Sequence, residues 1–150
     1  MKYGDCVFVR AGTLLAINLL FLMVWGFAGI GKLQSGVPDY FTEKFSGTFL
    51  GKFPGAAGAF WILAGMELIG FGLGIVALLR LDFMRDPLWL GRMLTWSLFV
   101  FLMLGFGLWL TNDFNGGFQH FCYFTGTLVA VSFVRGNATA CSLEANRPSK

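Results

Sequence analysis

Residues 56–79 read AAGAFWILAGMELIGFGLGIVALL, and this apolar run contains a single ionisable side chain, Glu67. A run of about 20 apolar residues is long enough to cross the hydrocarbon core of a bilayer as a helix. At about 1.5 Å of rise per residue, Glu67 lies near the middle of that helix. Because a charge at this depth is unfavourable, we expect the carboxyl group to be protonated, paired with a cation or hydrated in a cavity. Glu67 is therefore the first candidate for a functional residue.

The composition of the whole chain supports a membrane protein. Of its 150 residues, 56% are hydrophobic and 13% are charged, whereas soluble domains carry about 25% charged residues. The net charge of +3 is too small to indicate a nucleic-acid partner. The chain has three cysteines with no CxxC pair and only one histidine. These residues cannot supply the usual His and Cys ligand spacings of a metal site, so none is predicted.

Four apolar segments predict an all-α integral membrane protein, a four-helix transmembrane bundle forming a single membrane domain. The predicted helices cover residues 11–31, 56–79, 93–111 and 118–134, and a polar, loosely structured tail covers residues 136–150. Eight basic residues fall in the N-terminal segment, the second connection and the tail, against three in the first connection. The positive-inside rule then places both termini in the cytoplasm, in what we take to be a bacterial inner membrane.

The first connection, residues 33–55, contains phenylalanines at every fourth position, which are Phe41, Phe45, Phe49 and Phe53. This spacing forms a stripe on a helix and predicts a short amphipathic element lying in the membrane interface. Gly47 and Gly51 weaken a continuous helix at this point. The alternative is a loop whose phenylalanines cover the end of the bundle.

Glu67 shares one face of its helix with Gly70 and Gly74, a small-xxx-small pair that lets another helix approach closely. Glu67 is therefore expected to point into the bundle. One interpretation is a proton relay or an acceptor for a ligand. The other is a neutral or paired side chain that fixes helix packing, with Lys32 as the cation able to reach it.

Two further positions carry polar groups near predicted helices. In the first helix, Asn18 and Lys32 lie on one heptad-spaced stripe with Trp25. Lys32 either pairs with an acidic group or extends its side chain to the membrane surface, and the second is the favoured expectation. The fourth helix opens with Gln119 and His120. His120 could contact a quinone carbonyl or ligate haem, but a bis-histidine haem within this chain is excluded, and a bond to a neighbouring carbonyl is the default.

The order of these features resembles the DoxX family of small four-helix membrane proteins. The resemblance is carried by Arg10 before the first helix, FAGIGKL at residues 27–33, Tyr40-Phe41, Pro54, and GMEL at residues 65–68. It covers roughly residues 10–135 and does not explain Gln119 and His120. Some DoxX relatives are subunits of a thiosulfate:quinone oxidoreductase, and others accompany redox-protective enzymes or assist membrane assembly. The resemblance implies a redox-associated membrane role.

These observations lead to two expectations for function. The first is a DoxX-like accessory protein of quinone-linked or thiol redox chemistry, not catalytic on its own, with a quinone as candidate ligand. The second is a structural subunit of a larger respiratory or photosynthetic membrane complex. Both expectations place the chain in a lipid bilayer beside other membrane protein subunits.

Overall fold

The computed structural model describes residues 3–84 and 86–145, with side chains described for residues 7–84 and 86–136. This part of the chain is entirely helical apart from turns, with no strand. The helices are α1 (Tyr3–Ser35), α2 (Asp39–Ser46), α3 (Phe49–Lys52), α4 (Ala56–Leu79), α5 (Leu88–Leu110) and α6 (Phe114–Ala145). Residues 146–150 of the predicted tail and the side chain of Cys141 lie outside the described part.

Three of the described helices are long and apolar enough to cross a membrane. These spans are Val7–Ser35 within α1, Ala56–Leu79 and Leu88–Leu110. Most large hydrophobic side chains on their outer faces are exposed in the isolated chain, as expected when lipid rather than water surrounds the protein. The protein is therefore an integral membrane protein. Helix α6 is equally long but more polar, and it is not among these spans.

The four long helices pack in chain order, α1 on α4, α4 on α5 and α5 on α6, while α1 and α6 touch only lightly. The core between them contains Leu14, Trp25, Met93, Leu94 and Val100, all nearly inaccessible. A hydrogen bond also joins α5 to α4, because Nε1 of Trp96 donates to the backbone oxygen of Met66 at 2.8 Å. Since α4 and α5 occupy the centre of this row, Glu67 in α4 is surrounded by protein.

Two short helices, not one amphipathic helix, fill the connection between α1 and α4. Helix α2 ends at Ser46, and α3 begins at Phe49, so the four-residue phenylalanine spacing is interrupted near Gly47. Phe45 is buried and Phe41 contacts the rings of Phe45 and Phe60, whereas Phe49 and Phe53 are exposed. The first two phenylalanines thus cover the end of the bundle, and the last two face outwards.

The last helix is longer than its sequence pattern predicts. The predicted helix covered residues 118–134 and was followed by a loose polar tail, but α6 begins at Phe114 and continues to Ala145. Its start is fixed by Asp113, whose Oδ1 accepts the N–H of Gly116 at 3.0 Å. Beyond residue 134 the chain loses its apolar pattern but contains no Pro and only one Gly before residue 146. The local sequence therefore allows the helix to continue beyond the apolar segment.

The connection between α4 and α5 is organised by one buried carboxylate. Asp82 is buried, and its Oδ2 accepts the backbone N–H groups of Trp89 and Leu90 at 2.6 and 3.0 Å. These N–H groups belong to the first turn of α5 and have no partner within the helix. Asp82 therefore determines where α5 begins and how its first turn is oriented.

Candidate functional site

The buried carboxylate of Glu67 forms an ion pair with Lys32 across the α1–α4 interface. The Lys32 Nζ lies 2.8 Å from both carboxylate oxygens. The Glu67 side chain is 1% exposed and that of Lys32 is 22% exposed. Of the two alternatives that the sequence left for Lys32, the structure shows pairing and not extension to the surface. The bidentate contact satisfies a carboxylate that would otherwise be isolated inside the bundle.

Asn18 also joins α1 to α4, where its partners lie about one and two helical turns after Gly70. With its amide oriented to satisfy both neighbours, Nδ2 donates to Gly74 O and Oδ1 accepts from Leu78 N, each at 3.2 Å. Asn18 is 2% exposed. Its side chain therefore bonds the backbone of the facing helix and has a packing role, with no open side to receive a ligand.

Gly70 and Gly74 lie in the close contact between α1 and α4. A Cβ at Gly70 would stand 3.0 Å from the Trp25 ring, and one at Gly74 would meet Leu22 at 2.9 Å and Met93 at 3.0 Å. Only a glycine leaves room for these side chains. The glycines thus bring α1 near enough for Lys32 to reach Glu67.

Trp25 connects three helices from a fully buried position. Its Nε1 donates to the Ser97 hydroxyl of α5 at 2.8 Å, and its ring lies 4.9 Å from the centroid of Phe101. Phe101 in turn contacts Tyr123 of α6, with ring centroids 5.7 Å apart. An aromatic row therefore runs from α1 through α5 to α6 and ends beside His120.

His120 has one ring nitrogen engaged with the backbone of its own helix. Its Nδ1 lies 2.9 Å from the oxygen of Gly116, and because a carbonyl only accepts, Nδ1 carries the proton. The neutral ring then presents Nε2 as an acceptor, and the protonated ring presents it as a donor. The ring packs edge-on to Tyr123 at 5.6 Å. The default expectation of a bond to a neighbouring carbonyl matches this geometry.

His120 lies between two apolar cavities. The α5–α6 cavity, about 210 Å³, is bounded by Phe101, Trp109 and Phe124. The α2 cavity, about 360 Å³, lies beneath α2 and is bounded by Phe41, Met66 and Leu104. Its polar lining groups are Tyr40, Lys44 and His120. An apolar cavity with a few polar groups is the usual form of a small-molecule site, and the α2 cavity lies within the usual size range.

An ion pair holds α2 over this cavity. Lys44 Nζ lies 2.9 Å from Oδ2 of Asp113, in the turn between α5 and α6. The hydrogen bond from Lys44, followed by that from the Gly116 N–H, lowers the pKa of the Asp113 carboxyl below its usual value. Asp113 is therefore ionised at neutral pH, where it accepts the hydrogen bond from Lys44. Both side chains are partly exposed, so the pair positions α2 more than it stabilises the fold.

The candidate residues from the sequence fall into two groups that do not touch. Lys32, Glu67 and Asn18 belong to the α1–α4 interface, while His120 lines the cavities beside α5 and α6. Gln119 is exposed and lines neither cavity. Sequence reasoning missed Tyr40 and Lys44 as cavity residues. Their only signal was their position on the polar side of the Phe41 and Phe45 stripe.

The described side chains contain no group of three or more His, Cys, Asp or Glu residues that could hold a metal ion. Cys122 is a free, exposed thiol. No protein-family model matches the chain, no curated protein matches it, and no solved structure matches its fold. The site must therefore be interpreted from its own chemistry.

Proposed function

We propose that this protein is a four-helix integral membrane accessory protein of the DoxX type, associated with quinone-linked redox chemistry, which binds a quinone-type ring in the α2 cavity. The observation that carries the proposal is His120, an imidazole with one fixed and one available nitrogen, in the wall of an apolar cavity. The protein is not proposed to be an enzyme by itself.

The chemistry of the cavity suits a ring with two oxygens. A quinone needs hydrogen-bond donors at its carbonyls, and a quinol needs acceptors for its hydroxyls. Nε2 of His120 accepts when neutral and donates when protonated, so it can serve either form. Tyr40 and Lys44 supply further polar groups on the same cavity wall. The apolar lining from α4 and α5 would enclose the ring and its lipid tail.

A quinone is a better supported partner than a thiol. Its support is the α2 cavity, which combines an apolar lining with the polar groups of Tyr40, Lys44 and His120. Cys122 is an exposed thiol. The DoxX resemblance allows both kinds of chemistry, and the cavity favours the first.

We expect His120→Phe to weaken binding of a short-chain benzoquinone by about tenfold, because it removes one hydrogen bond and keeps an aromatic ring against Tyr123. Binding is measured by quenching of tryptophan fluorescence in the purified full-length protein. Gln119→Ala is the matched control, since this neighbour is exposed and lines neither cavity. Equal affinities for the His120→Phe variant and the unmodified protein would contradict the proposed site, as would no binding at all.

The proposed topology has four crossings with both termini in the cytoplasm of a bacterial cell. In this topology α6 is the fourth membrane span. The side that carries more basic residues, with the N-terminal segment, the α4–α5 connection and the C-terminal tail, faces the cytoplasm. Each of four exposed positions, Ser46, Met84, Asn112 and Gly136, is replaced by cysteine in a background without native cysteines. We expect a membrane-impermeant maleimide to label Ser46→Cys and Asn112→Cys in intact spheroplasts.

Met84→Cys and Gly136→Cys should react only after the membrane is permeabilised. Labelling of Met84→Cys together with Ser46→Cys from the same side would contradict the orientation of α4. Labelling of Gly136→Cys in intact spheroplasts would show that α6 does not cross. This second outcome would leave three spans and place the end of α6 outside the cell.

A structural role in a larger membrane complex is the second candidate function. The broad exposed surface of α1, with Phe8, Leu20, Met23 and Phe27 among its exposed side chains, suits either lipid or a neighbouring subunit. The light contact between α1 and α6 leaves part of each helix uncovered. Native gels of gently solubilised membranes separate the two functions, because a structural subunit migrates with its complex and binds no quinone.

A further inference from the structure

A third cavity, of about 610 Å³, lies at the opposite end of the bundle from α2, and we call it the arginine cavity. Along α5 it is lined by Leu88, Gly91, Arg92, Thr95, Trp96 and Phe99. These positions share one face of the helix, and from Leu88 to Phe99 they extend over about 17 Å. Leu73 of α4 and Val131, Val134 and Arg135 of α6 complete the walls. The cavity is thus a groove that follows the helix axes.

The two ends of the groove differ in chemistry. Arg92 and Arg135 line the end near the start of α5, and Asp86 lies there too. The other end, towards Phe99, is apolar. Since α5 is a membrane span that begins at Leu88, the charged end lies near the membrane surface and the apolar end lies at the depth of the acyl chains. Guanidinium groups from α5 and α6 therefore meet at this end of the groove.

The arginine at the first turn of α5 is held in place by its neighbours. The guanidinium of Arg92 lies over the Trp89 ring at 4.6 Å, and Arg80 lies over the same ring at 5.3 Å. The ring attracts the guanidinium cation and restricts where it can lie. The backbone of Trp89 is itself fixed by Asp82. Arg92 therefore presents an ordered donor set for an anion.

We propose that the arginine cavity binds an anionic phospholipid, with its phosphate group on Arg92 and Arg135 and one acyl chain along the groove towards Phe99. Guanidinium groups match phosphate in charge and in hydrogen-bond geometry. The apolar walls match an acyl chain. The charged end of the groove lies at the depth of the lipid headgroups and the apolar end at the depth of the acyl chains, so a lipid can fit without leaving its place in the membrane. This site is independent of the proposed quinone site, since the two share no lining residue.

The test uses native mass spectrometry of the full-length protein in mild detergent with equal amounts of dioleoyl phosphatidylglycerol and dioleoyl phosphatidylcholine. The two lipids have the same acyl chains, so any preference reports the headgroup. We expect the unmodified protein to retain phosphatidylglycerol in preference to phosphatidylcholine. Arg92→Gln combined with Arg135→Gln should lower the retention of phosphatidylglycerol about tenfold, to the level of phosphatidylcholine.

Two further variants make the result specific to the cavity. Arg80→Gln removes one positive charge from the same end of the protein without altering the lining, as the single variant Arg92→Gln does within the lining, so the retention by Arg80→Gln should stay within about twofold of that by the unmodified protein. Asp86→Asn removes the opposing carboxylate from the charged end and should raise the retention of phosphatidylglycerol several-fold. This variant tests the placement of the phosphate even if the double arginine variant fails to fold. Glycerol phosphate, which lacks the acyl chains, should not displace the lipid.

Equal retention of the two lipids by the unmodified protein would overturn the proposal. An equal loss in Arg80→Gln and in the double variant would also overturn it, because the preference would then reflect general positive charge. Displacement by glycerol phosphate would contradict the role of the apolar groove, and unchanged or lower retention in Asp86→Asn would contradict the placement of the phosphate.

Discussion

Replacing Lys32 by methionine is expected to lower the free energy of unfolding by about 3–5 kcal/mol, because it leaves the Glu67 carboxylate buried without a cation. Glu67 is 1% exposed, so it cannot recover the lost interaction from water. Removing the other partner, in Glu67→Leu, should lower the free energy of unfolding by only about 1 kcal/mol. Lys32 is 22% exposed and lies in the last turn of α1, so its side chain can extend to the membrane surface when Glu67 is absent.

The double variant, Lys32→Met with Glu67→Leu, separates the structural and functional interpretations of the pair. A buried ion pair can often be replaced by apolar residues with little change in stability. We therefore expect the double variant to recover to within about 1 kcal/mol of the unmodified protein. If Glu67 only fixes helix packing, the double variant should also bind the benzoquinone normally, whereas recovered stability without binding would show a functional role.

Unfolding is measured by titrating sodium dodecyl sulfate into protein in mixed micelles and following the loss of helix. Lys44→Met is the matched control, because it breaks the ion pair with Asp113, in which both side chains are partly exposed, and should cost less than about 1 kcal/mol. If Lys32→Met is no more destabilising than Lys44→Met, the Glu67 pair does not hold α1 against α4.

Truncating Trp25 to alanine is the second change with a large expected effect, a loss of about 3 kcal/mol. Trp25 is 1% exposed and fills the space between Gly70 of α4 and Phe101 of α5. Burial from lipid brings little transfer energy, because lipid is as apolar as the side chain. The loss therefore comes from the cavity and the missing contacts, which places it at the lower end of the range for such truncations.

The same detergent titration measures this effect, and two variants calibrate it. Trp25→Phe keeps an aromatic ring but loses the bond to Ser97, and should cost about 1 kcal/mol, since the Ser97 hydroxyl still donates to Met93 O. Trp61→Ala removes the same side chain from a position that is 45% exposed and should change stability by less than about 0.5 kcal/mol. Similar losses at Trp25 and Trp61 would contradict the central role of Trp25 in joining the helices.

Helical periodicity was sufficient to predict the packing face of α4. The face that carries Glu67, Gly70 and Gly74 is buried, whereas Leu63, which the same periodicity places on this face, is only partly buried. That agreement has a simple cause, because a helix in a bundle must put small and polar residues where other helices approach. The partner of Glu67 could be named as Lys32, but local pattern could not decide between pairing and extension to the surface. That choice depends on how closely α1 approaches α4.

Other features lay beyond what the sequence pattern could predict. The pair between Lys44 and Asp113 joins residues 69 positions apart, and no periodicity relates them. The cavity beside His120 depends on how α2 folds back over α5, which follows from the end of α2 at Ser46 and the burial of Phe45. The end of α6 was predicted too early because its last turns continue without an apolar face. Hydrophobic pattern detects burial, and these features depend on long-range contact or on helix propensity alone.

The chain-ordered packing of the long helices has a consequence for biosynthesis. Because α4 packs on α1, α5 on α4, and α6 on α5, each long helix after the first finds a packing partner already made when it leaves the ribosome. The first stable unit is the α1–α4 hairpin, in which Lys32 and Glu67 neutralise each other before later helices arrive. A ribosome arrested after α4 should therefore hold a hairpin that is already resistant to extraction. Insertion of the remaining helices needs no rearrangement of those that precede them.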